Sequence, residues 1–312
     1  MARPVDARVS IVVLTHNRIA ELARSLARLV ALPSRPRVIV VDNGSGDDTA
    51  SLVARAFPDV ELVTAGANLG AAGRNLGLRH ARTPYVALTD DDTWWTANAL
   101  AHAADLLDAH SHLAVVSGRV LVGADEHVDP ACRAMAQSPL ARDAAAPGPR
   151  LLGFLAGASM VRREAVLSVG GFEPRLFLGG EERLLASDLA VAGWHTIYAD
   201  DVVVHHHPSG LRDASARRRL VLRNDLWFAW RRRPLGVALR ATRALAGRAV
   251  RDADARRALG AALAGVGWAV ATRRRVSPAV EADWRRLEHD LTDRAAASNI
   301  PPRTRQHAPP VR

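Results

Sequence analysis

The stretch Ala87-Leu88-Thr89-Asp90-Asp91-Asp92 decides the reading of this chain. An apolar run from Pro84 to Leu88 ends abruptly in three consecutive carboxylates. As a device for stability this is poor, because neighbouring like charges repel and each carboxylate leaving water loses solvation. A divalent cation removes the conflict. Hard ions such as Mg²⁺ take oxygen ligands from one or two carboxylates and share the rest of their shell with a phosphate. An acidic triplet closing a buried strand therefore points to a metal–phosphate site. The competing reading is a solvated acidic turn ahead of a helix that begins at Thr93.

Working outward on the N-terminal side, short apolar runs over 9–14, 38–41, 60–63 and 84–88 read as buried strands. Between them, 19–31, 47–57 and 69–80 have helical spacing, with Leu22, Leu26 and Leu29 on one face. This alternation predicts an α/β fold, a Rossmann-like, mostly parallel sheet with helices on both faces. Ligands of such sheets bind beyond the carboxyl ends of the strands. Thr15-His16-Asn17-Arg18, Asp42-Asn43-Gly44 and the acidic triplet all fall at such ends.

On the C-terminal side, 113–122 predicts a strand, 129–150 a mobile loop rich in Ala, Pro and Arg, and 157–169 a short strand and a helix. Gly170-Gly171-Phe172 is a turn. The segment 180–193 reads as a helix headed by Glu181-Glu182, acids suited to its positive end. One or two strands over 195–204 lead into His205-His206-His207-Pro208. The domain plan is a sheet domain over 1–212, an Arg-rich helical extension over 213–298, and a Pro-rich, charged tail over 299–312 expected to be disordered.

The formal net charge is +10 and every basic side chain is Arg, a pattern of genomic base composition rather than of chemistry. Acidic residues concentrate before Asp213 and Arg after it. No zinc-finger, RNA-binding or basic-zipper pattern accompanies the charge, so no nucleic-acid partner is expected. Cys132 is the sole cysteine, which excludes an intrachain disulfide and suits a reducing compartment. The first residues lack the apolar core of a signal peptide. No run reaches the roughly 20 apolar residues of a spanning helix. The expected location is cytoplasmic, at most peripheral at the inner face of a membrane.

Taken in order, these motifs resemble those of family-2 glycosyltransferases with the GT-A fold. The matching pieces are the opening strand and loop Val9 to Arg18, Val40-Val41-Asp42-Asn43-Gly44-Ser45, Asn68-Leu69-Gly70-Ala71-Ala72-Gly73-Arg74-Asn75, and Asp90-Asp91-Asp92. In the second half they are Gly170-Gly171-Phe172, Glu181-Glu182 and Ala192-Gly193-Trp194. The resemblance implies transfer of a sugar, with inversion, from a nucleotide-sugar donor to a glycan or lipid-linked hydroxyl acceptor. It implies Mg²⁺ or Mn²⁺ held by Asp90 and Asp92, Asp92 being favoured, while Asp91 reaches the ribose or sugar. Only some of three adjacent strand carboxylates can face one ion, because strand side chains alternate.

An inverting transfer needs a base for the acceptor's proton. The resemblance assigns that role to Glu182, with Glu181 as the alternative; plain helix capping is the competing reading of both. Nearby the chain departs from the family's pattern, with Leu184 where Asp is common and Asp188 where Arg is common. In the His triplet, His205 is favoured against metal or diphosphate, His207 shares its strand face, and His206 points away. Thr15, Asn17, Arg18, Asp42, Asn68, Gly70 and Arg74 are the expected nucleotide contacts, with Gly70 and Gly73 giving close approach. The glycines lack the Gly-Lys-Ser/Thr ending of a P-loop.

Two rival functions share this sheet: a nucleotidyltransferase, which has no need of the Glu181-Glu182 base, and a noncatalytic sugar- or membrane-binding module. Trp94 or Trp95, just after the triplet, could stack on an acceptor sugar. In the extension, Arg217-Arg218-Arg219, Arg231-Arg232-Arg233 and Arg273-Arg274-Arg275 bracket apolar helical stretches. They read as the solvated face of a packed appendix or as a contact for an anionic membrane surface. Arg223-Asn224 is placed to reach the active site instead.

Overall fold

Strand β1 (Val9–Thr15) is buried on both faces, with Ile11 and Val13 turned to one side of the sheet and Val12 to the other. That is the pattern of a parallel strand covered by helices on both sides. The computed structural model describes residues 7–141, 146–208 and 214–298. After β1 come α1 (Ile19–Val30), β2 (Arg37–Asp42), α2 (Thr49–Ala56) and β3 (Glu61–Thr64). A 3-10 turn, Gly70–Gly73, leads into α3 (Arg74–His80), then β4 (Tyr85–Asp90). The single helix expected over 69–80 thus starts with a tight glycine-bearing turn.

The next element differs from expectation. Thr93 starts a strand, β5 (Thr93–Trp95), not a helix. Aromatic residues favour the pleated surface, and Trp95 is buried with its Nε1 donating to Thr89 Oγ1 at 3.0 Å. Then follow α4 (Ala99–Ala109), β6 (Leu113–Val122) and β7 (His127–Val128). The stretch read as a mobile loop contains α5 (Pro130–Ala136), whose Asp129 side chain accepts from Ala131 N at 2.7 Å with Pro130 in the first helical turn. Both are helix-start signals. Beyond it lie β8 (Arg150–Leu151), β9 (Ala158–Arg162), α6 (Arg163–Ser168), a 3-10 turn Pro174–Leu176, α7 (Glu181–Val191) and one long strand, β10 (His195–His206).

The sheet order is β3-β2-β1-β4-β9-β6-β10-β5, with β7 on β6 and β8 on β10. Strands β1, β2, β3 and β4 are parallel, and β6 is parallel to β10. Strand β9 runs antiparallel between β4 and β6. The β10 register against β6 shifts between Ala199 and Val203, and beyond that shift the end of β10 pairs antiparallel with β5.

Five helices complete the described chain: α8 (Ala214–Arg232), α9 (Leu235–Ala249), α10 (Ala253–Ala264), α11 (Val266–Ala271) and α12 (Pro278–Ser298). They share one core with the sheet domain, in which Leu176 and Leu184 pack with Leu226, Trp227, Phe228 and Trp284. Burial of each such side chain contributes roughly 1.5–3 kcal/mol. The triplet Arg231-Arg232-Arg233 is not a solvated or membrane-facing surface. All three are buried, Arg231 on Glu173, Arg232 on Asp188, and Arg233 on Glu281 and Glu288. The tail over 299–312 lies outside the described residues.

Candidate functional site

The register of the parallel strands builds the site. Thr15 lies beside Asp42, and Leu14 beside Asp90, so the ends of β1, β2 and β4 reach the same edge. Beyond that edge is a cleft of about 420 Å³ lined by Thr15, His16, Arg18, Asn43, Asn68, Gly70, Arg74 and all three triplet residues. Phe177, Leu178, Ala216, Arg217 and Leu220 close the opposite side.

The three aspartates diverge. Asp90 is paired with Arg74, yet its side chain is 41% exposed. Its space depends on Gly157, where a Cβ would stand 2.5 Å from Asp90 Oδ2. Asp91 accepts from Thr15 Oγ1 at 3.0 Å and from Arg18 Nη1 at 2.6 Å, while its carbonyl accepts from Ser25 Oγ at 2.8 Å. Burial pushes its carboxyl up to about 7 despite Arg18. Asp92 accepts from the same Arg18 Nη1 at 3.1 Å.

The His triplet is turned opposite to expectation. His206, not His205, faces the site, with Nε2 3.5 Å from Asp92 Oδ1. His205 pairs across the β5–β10 ladder with Trp94 and stacks on its ring at 5.4 Å, its Nδ1 3.3 Å from Glu126. His207 also packs on Trp94. That side is occupied by the indole, which itself lies under Arg28 at 4.2 Å. Trp94 therefore lines a small neighbouring pocket rather than the cleft, and Trp95 is core. Among the described residues no three His, Cys, Asp or Glu side chains come together as a metal cage. Asp90 and Asp92 supply the one or two carboxylate oxygens that Mg²⁺ or Mn²⁺ takes when phosphate completes its shell, with His206 beside Asp92.

Three expected nucleotide contacts have other work. Asn17, at φ 53°, accepts from Gly46 N at 2.7 Å, and its own N–H donates to Ser45 Oγ. Asp42 accepts from Ser45 N at 2.9 Å. Asn17 ties the β1 loop to the β2 loop, Asp42 closes the turn of the β2 loop itself, and neither is among the residues lining the cleft. Gly70, at φ +59°, makes its close approach to the chain itself: a Cβ there would stand 2.3 Å from Phe177 O, which accepts from Ala71 N at 2.7 Å. Asn68 does line the cleft, with Oδ1 accepting from Asn43 Nδ2 and Gly70 N. His16 and Asn43 take the places of Asn17 and Asp42 in the lining.

The acidic pair opens α7, immediately after Gly180 at φ +87°. Glu181 is buried, and its Oε2 has no hydrogen-bond partner among the described residues. Burial holds its carboxyl above the usual range, opposed in part by backbone N–H groups at the helix start and by Arg74. Burial, with the Glu181 charge beside it, pushes Glu182 up to about 7. Arg74 faces Glu181, Glu182 and Asp90 together, so one buried guanidinium links the pair to the triplet. Asp188, the departure noted in sequence, accepts two hydrogen bonds from Arg232, at 2.5 and 2.8 Å.

Glu181 and Glu182 are not among the residues lining the cleft and reach it only through Arg74. A mixed sheet with an acidic strand end on the cleft and an acidic helix start joined to it by that guanidinium defines a GT-A glycosyltransferase. The sequence model of glycosyl transferase family 2 matches residues 10–170, and the chain belongs to that family. It is 28% identical over 279 residues to N-acetylglucosaminyl-diphospho-decaprenol L-rhamnosyltransferase of Mycobacterium tuberculosis, covering 75% of this chain and 90% of that one. The pre-mycofactocin glycosyltransferase of the same organism is 31% identical over 69% of this chain and 46% of its own length. Among solved structures, the mannosyltransferase PcManGT of Pyrobaculum calidifontis, in complex with GDP-Man and Mn²⁺, superposes with a TM-score of 0.53 at 22% identity, over 95% of this chain and 81% of that one. S. aureus TarS in complex with UDP-GlcNAc gives 0.51 at 19% identity, over 70% and 65%. These structures share the fold.

Proposed function

We propose that this glycosyltransferase moves a sugar from a nucleoside-diphosphate donor to the hydroxyl of a lipid-linked acceptor, with inversion at the anomeric carbon. The observation that carries the reading is the buried Arg74 guanidinium, which lines the cleft, pairs with Asp90 and interacts with the charges of Glu181 and Glu182 at the start of α7. The donor lies over the ends of β1, β2 and β4, against Thr15, Arg18, Asn68, Gly70, Arg74 and Asp91, with Asn17 and Asp42 holding the loops in place. Glu182 is the base. A carboxyl near 7 is poised to take a proton at neutral pH.

In the transfer, Glu182 takes the acceptor hydroxyl's proton and the acceptor oxygen bonds to the anomeric carbon. The bond from that carbon to the diphosphate oxygen breaks, and its electron pair leaves with the diphosphate. Arg74 and Arg18 present positive charge on that side of the cleft, where negative charge grows. Asp90 and Asp92, with His206 beside Asp92, would hold Mg²⁺ or Mn²⁺ through one or two carboxylates, and the ion when bound would stabilise the same developing charge. PcManGT and its Mn²⁺ support the choice of ion, and the named diphospho-decaprenol substrate of the mycobacterial relative supports the acceptor class.

None of the described helices is long and apolar enough to cross a membrane. The proposed place of work is the cytoplasmic face of a membrane, with exposed Arg217, Arg218, Arg274 and Arg275 toward anionic headgroups. The proposed domain plan keeps the sheet domain over 1–212 and the helices over 213–298 as its partner. The test is calorimetric titration with UDP-, GDP- and dTDP-sugars, with and without Mn²⁺. Tight binding of one class only with Mn²⁺ is expected. Binding that is indifferent to the ion refutes the metal assignment.

A further inference from the structure

We propose that Asn224, on α8, is a positioning residue for the transfer, holding the loop over 176–180 that sets Glu181 and Glu182 at the start of α7, facing Arg74. The inference rests on the reading of that pair as the site of base catalysis.

Asn224 is only 1% exposed. Its Nδ2 donates to three carbonyls of the loop: Leu176 O at 2.8 Å, Leu178 O at 3.0 Å and Gly179 O at 2.7 Å. An amide NH₂ has two hydrogens, so three acceptors share them in a bifurcated arrangement. Its Oδ1 accepts from Arg223 Nε at 3.0 Å, and Arg223 Nη2 donates to Leu176 O at 2.8 Å. Every polar atom of Asn224 is thus committed to the loop or to the side chain beside it.

The loop needs such a hold. Its carbonyls converge because Phe177, Gly179 and Gly180 all have positive φ, at 62°, 90° and 87°. Phe177 has no glycine's freedom there. Three carbonyl dipoles pointing at one place repel unless a donor sits between them. From the other side, Phe177 O accepts from Ala71 N. The loop is therefore pinned between the donor-side turn and α8, and Glu181 is the first helical residue after it.

Asn224 acts through this loop and not on substrate. Nor is it the main anchor of α8, which is held by Arg232 on Asp188 and by Leu226, Trp227 and Phe228 in the shared core. Its loss should therefore fall mainly on turnover, with the global fold kept and donor binding only slightly weakened, since Phe177 and Leu178 of the loop line the cleft and Ala71 N still holds Phe177 O.

The experiment uses the full chain carrying Asn224→Ala, beside Glu182→Gln and the parent. Binding is read with UDP and GDP in Mn²⁺, and turnover as nucleoside diphosphate released with a prenyl-diphosphate-linked sugar acceptor. Hydrogen exchange is followed over 176–182. The expected result is a kcat about 10- to 100-fold lower, nucleotide affinity within about threefold of the parent, and faster exchange confined to that loop and the start of α7. Should Asn224→Ala fail to fold, Arg223→Ala carries the test, with a smaller kcat loss in the same direction. A kcat within twofold of the parent, or unchanged loop exchange, overturns the proposal while Glu182→Gln still shows its large loss. A Glu182→Gln and a Glu181→Gln enzyme both as active as the parent overturn the base assignment instead.

Discussion

Arg74 and Asp90 are ion-paired on the floor of the cleft, an almost wholly buried guanidinium against a carboxylate that stays open to solvent. The same guanidinium faces Glu181 and Glu182. Three carboxyls, two of them at the start of α7, therefore share one cation from α3. It lies over Phe172 at 5.7 Å, within the turn that Asn75 fixes by hydrogen bonds to Phe172 N and O.

Replacing Arg74 by Ala should strip the positive charge from both acidic groups. The loss in stability should stay below the roughly 3–5 kcal/mol of a fully buried pair, because solvent reaches Asp90 while Glu181 is left buried without its cation. The expected outcome is a clear fall in melting temperature together with loss of nucleotide binding. Added Mn²⁺ should recover part of the stability, since it supplies charge to Asp90. Differential scanning fluorimetry with and without Mn²⁺ checks this. Unchanged melting would mean that the pair is not holding the carboxylates.

The histidines give a sharper comparison. His206→Ala should weaken Mn²⁺-dependent nucleotide binding by about 10-fold or more, whereas His205→Ala should leave it near the parent value and slightly lower stability through the lost stacking on Trp94. A second-ligand loss of this size matches the usual worth of a supporting group at a metal site. Titration calorimetry on the two variants decides it. Equal loss in both would return His205 to the metal.

The acidic pair predicts a pH dependence with a definite sign. Glu182 is held at about 7, above its ordinary value of 4.5, by burial and by Glu181, with Arg74 opposing and Asp90 adding. Catalysis by its ionised form should fall as pH drops through about 7. For stability, a raised carboxyl means that the folded protein binds more protons between 4.5 and 7, so stability declines as pH rises through that window. Glu182→Gln should therefore lower kcat by about 10²–10⁴-fold. It should raise the melting temperature more at pH 8 than at pH 5. A Glu182→Gln effect on melting that is the same at both pH values removes the titration from the account.

What was legible in the sequence follows from what is local. Short continuous apolar runs and 3.6-residue spacing marked the strands and helices around β1, β2 and β4, and a carboxylate cluster at a strand end is visible without any partner. The orientation of His205 and His206 was not legible, because it depends on β5 pairing with the end of β10, a contact across more than a hundred residues. Asn17 and Asp42 sit where nucleotide contacts belong, yet their side chains close the turns, and loop geometry alone settles that. Gly157 gave no sign of making room for Asp90. Runs of Arg read as solvated or membrane-facing, since composition cannot reveal that Glu173, Asp188, Glu281 and Glu288 reach them from distant helices.

That inward turn of Arg231, Arg232 and Arg233 makes the last prediction. Arg232 bonds Asp188 through two nitrogens, and so ties the helix that carries the acids to α8. Arg232→Met alone should destabilise the chain by about 3–5 kcal/mol, since Asp188 keeps its charge in a partly buried place without its partner. Arg232→Met with Asp188→Leu should recover most of that loss, because a well-packed apolar pair of similar volume is often as stable as the ion pair it replaces. The two single variants and the double, compared by urea unfolding, form a cycle whose coupling term isolates the pair. A coupling near zero would show that α7 and α8 are joined by the apolar core alone. A large coupling, with turnover lost in the single variant and regained in the double, would make the helical region part of the catalytic unit rather than an appendix to it.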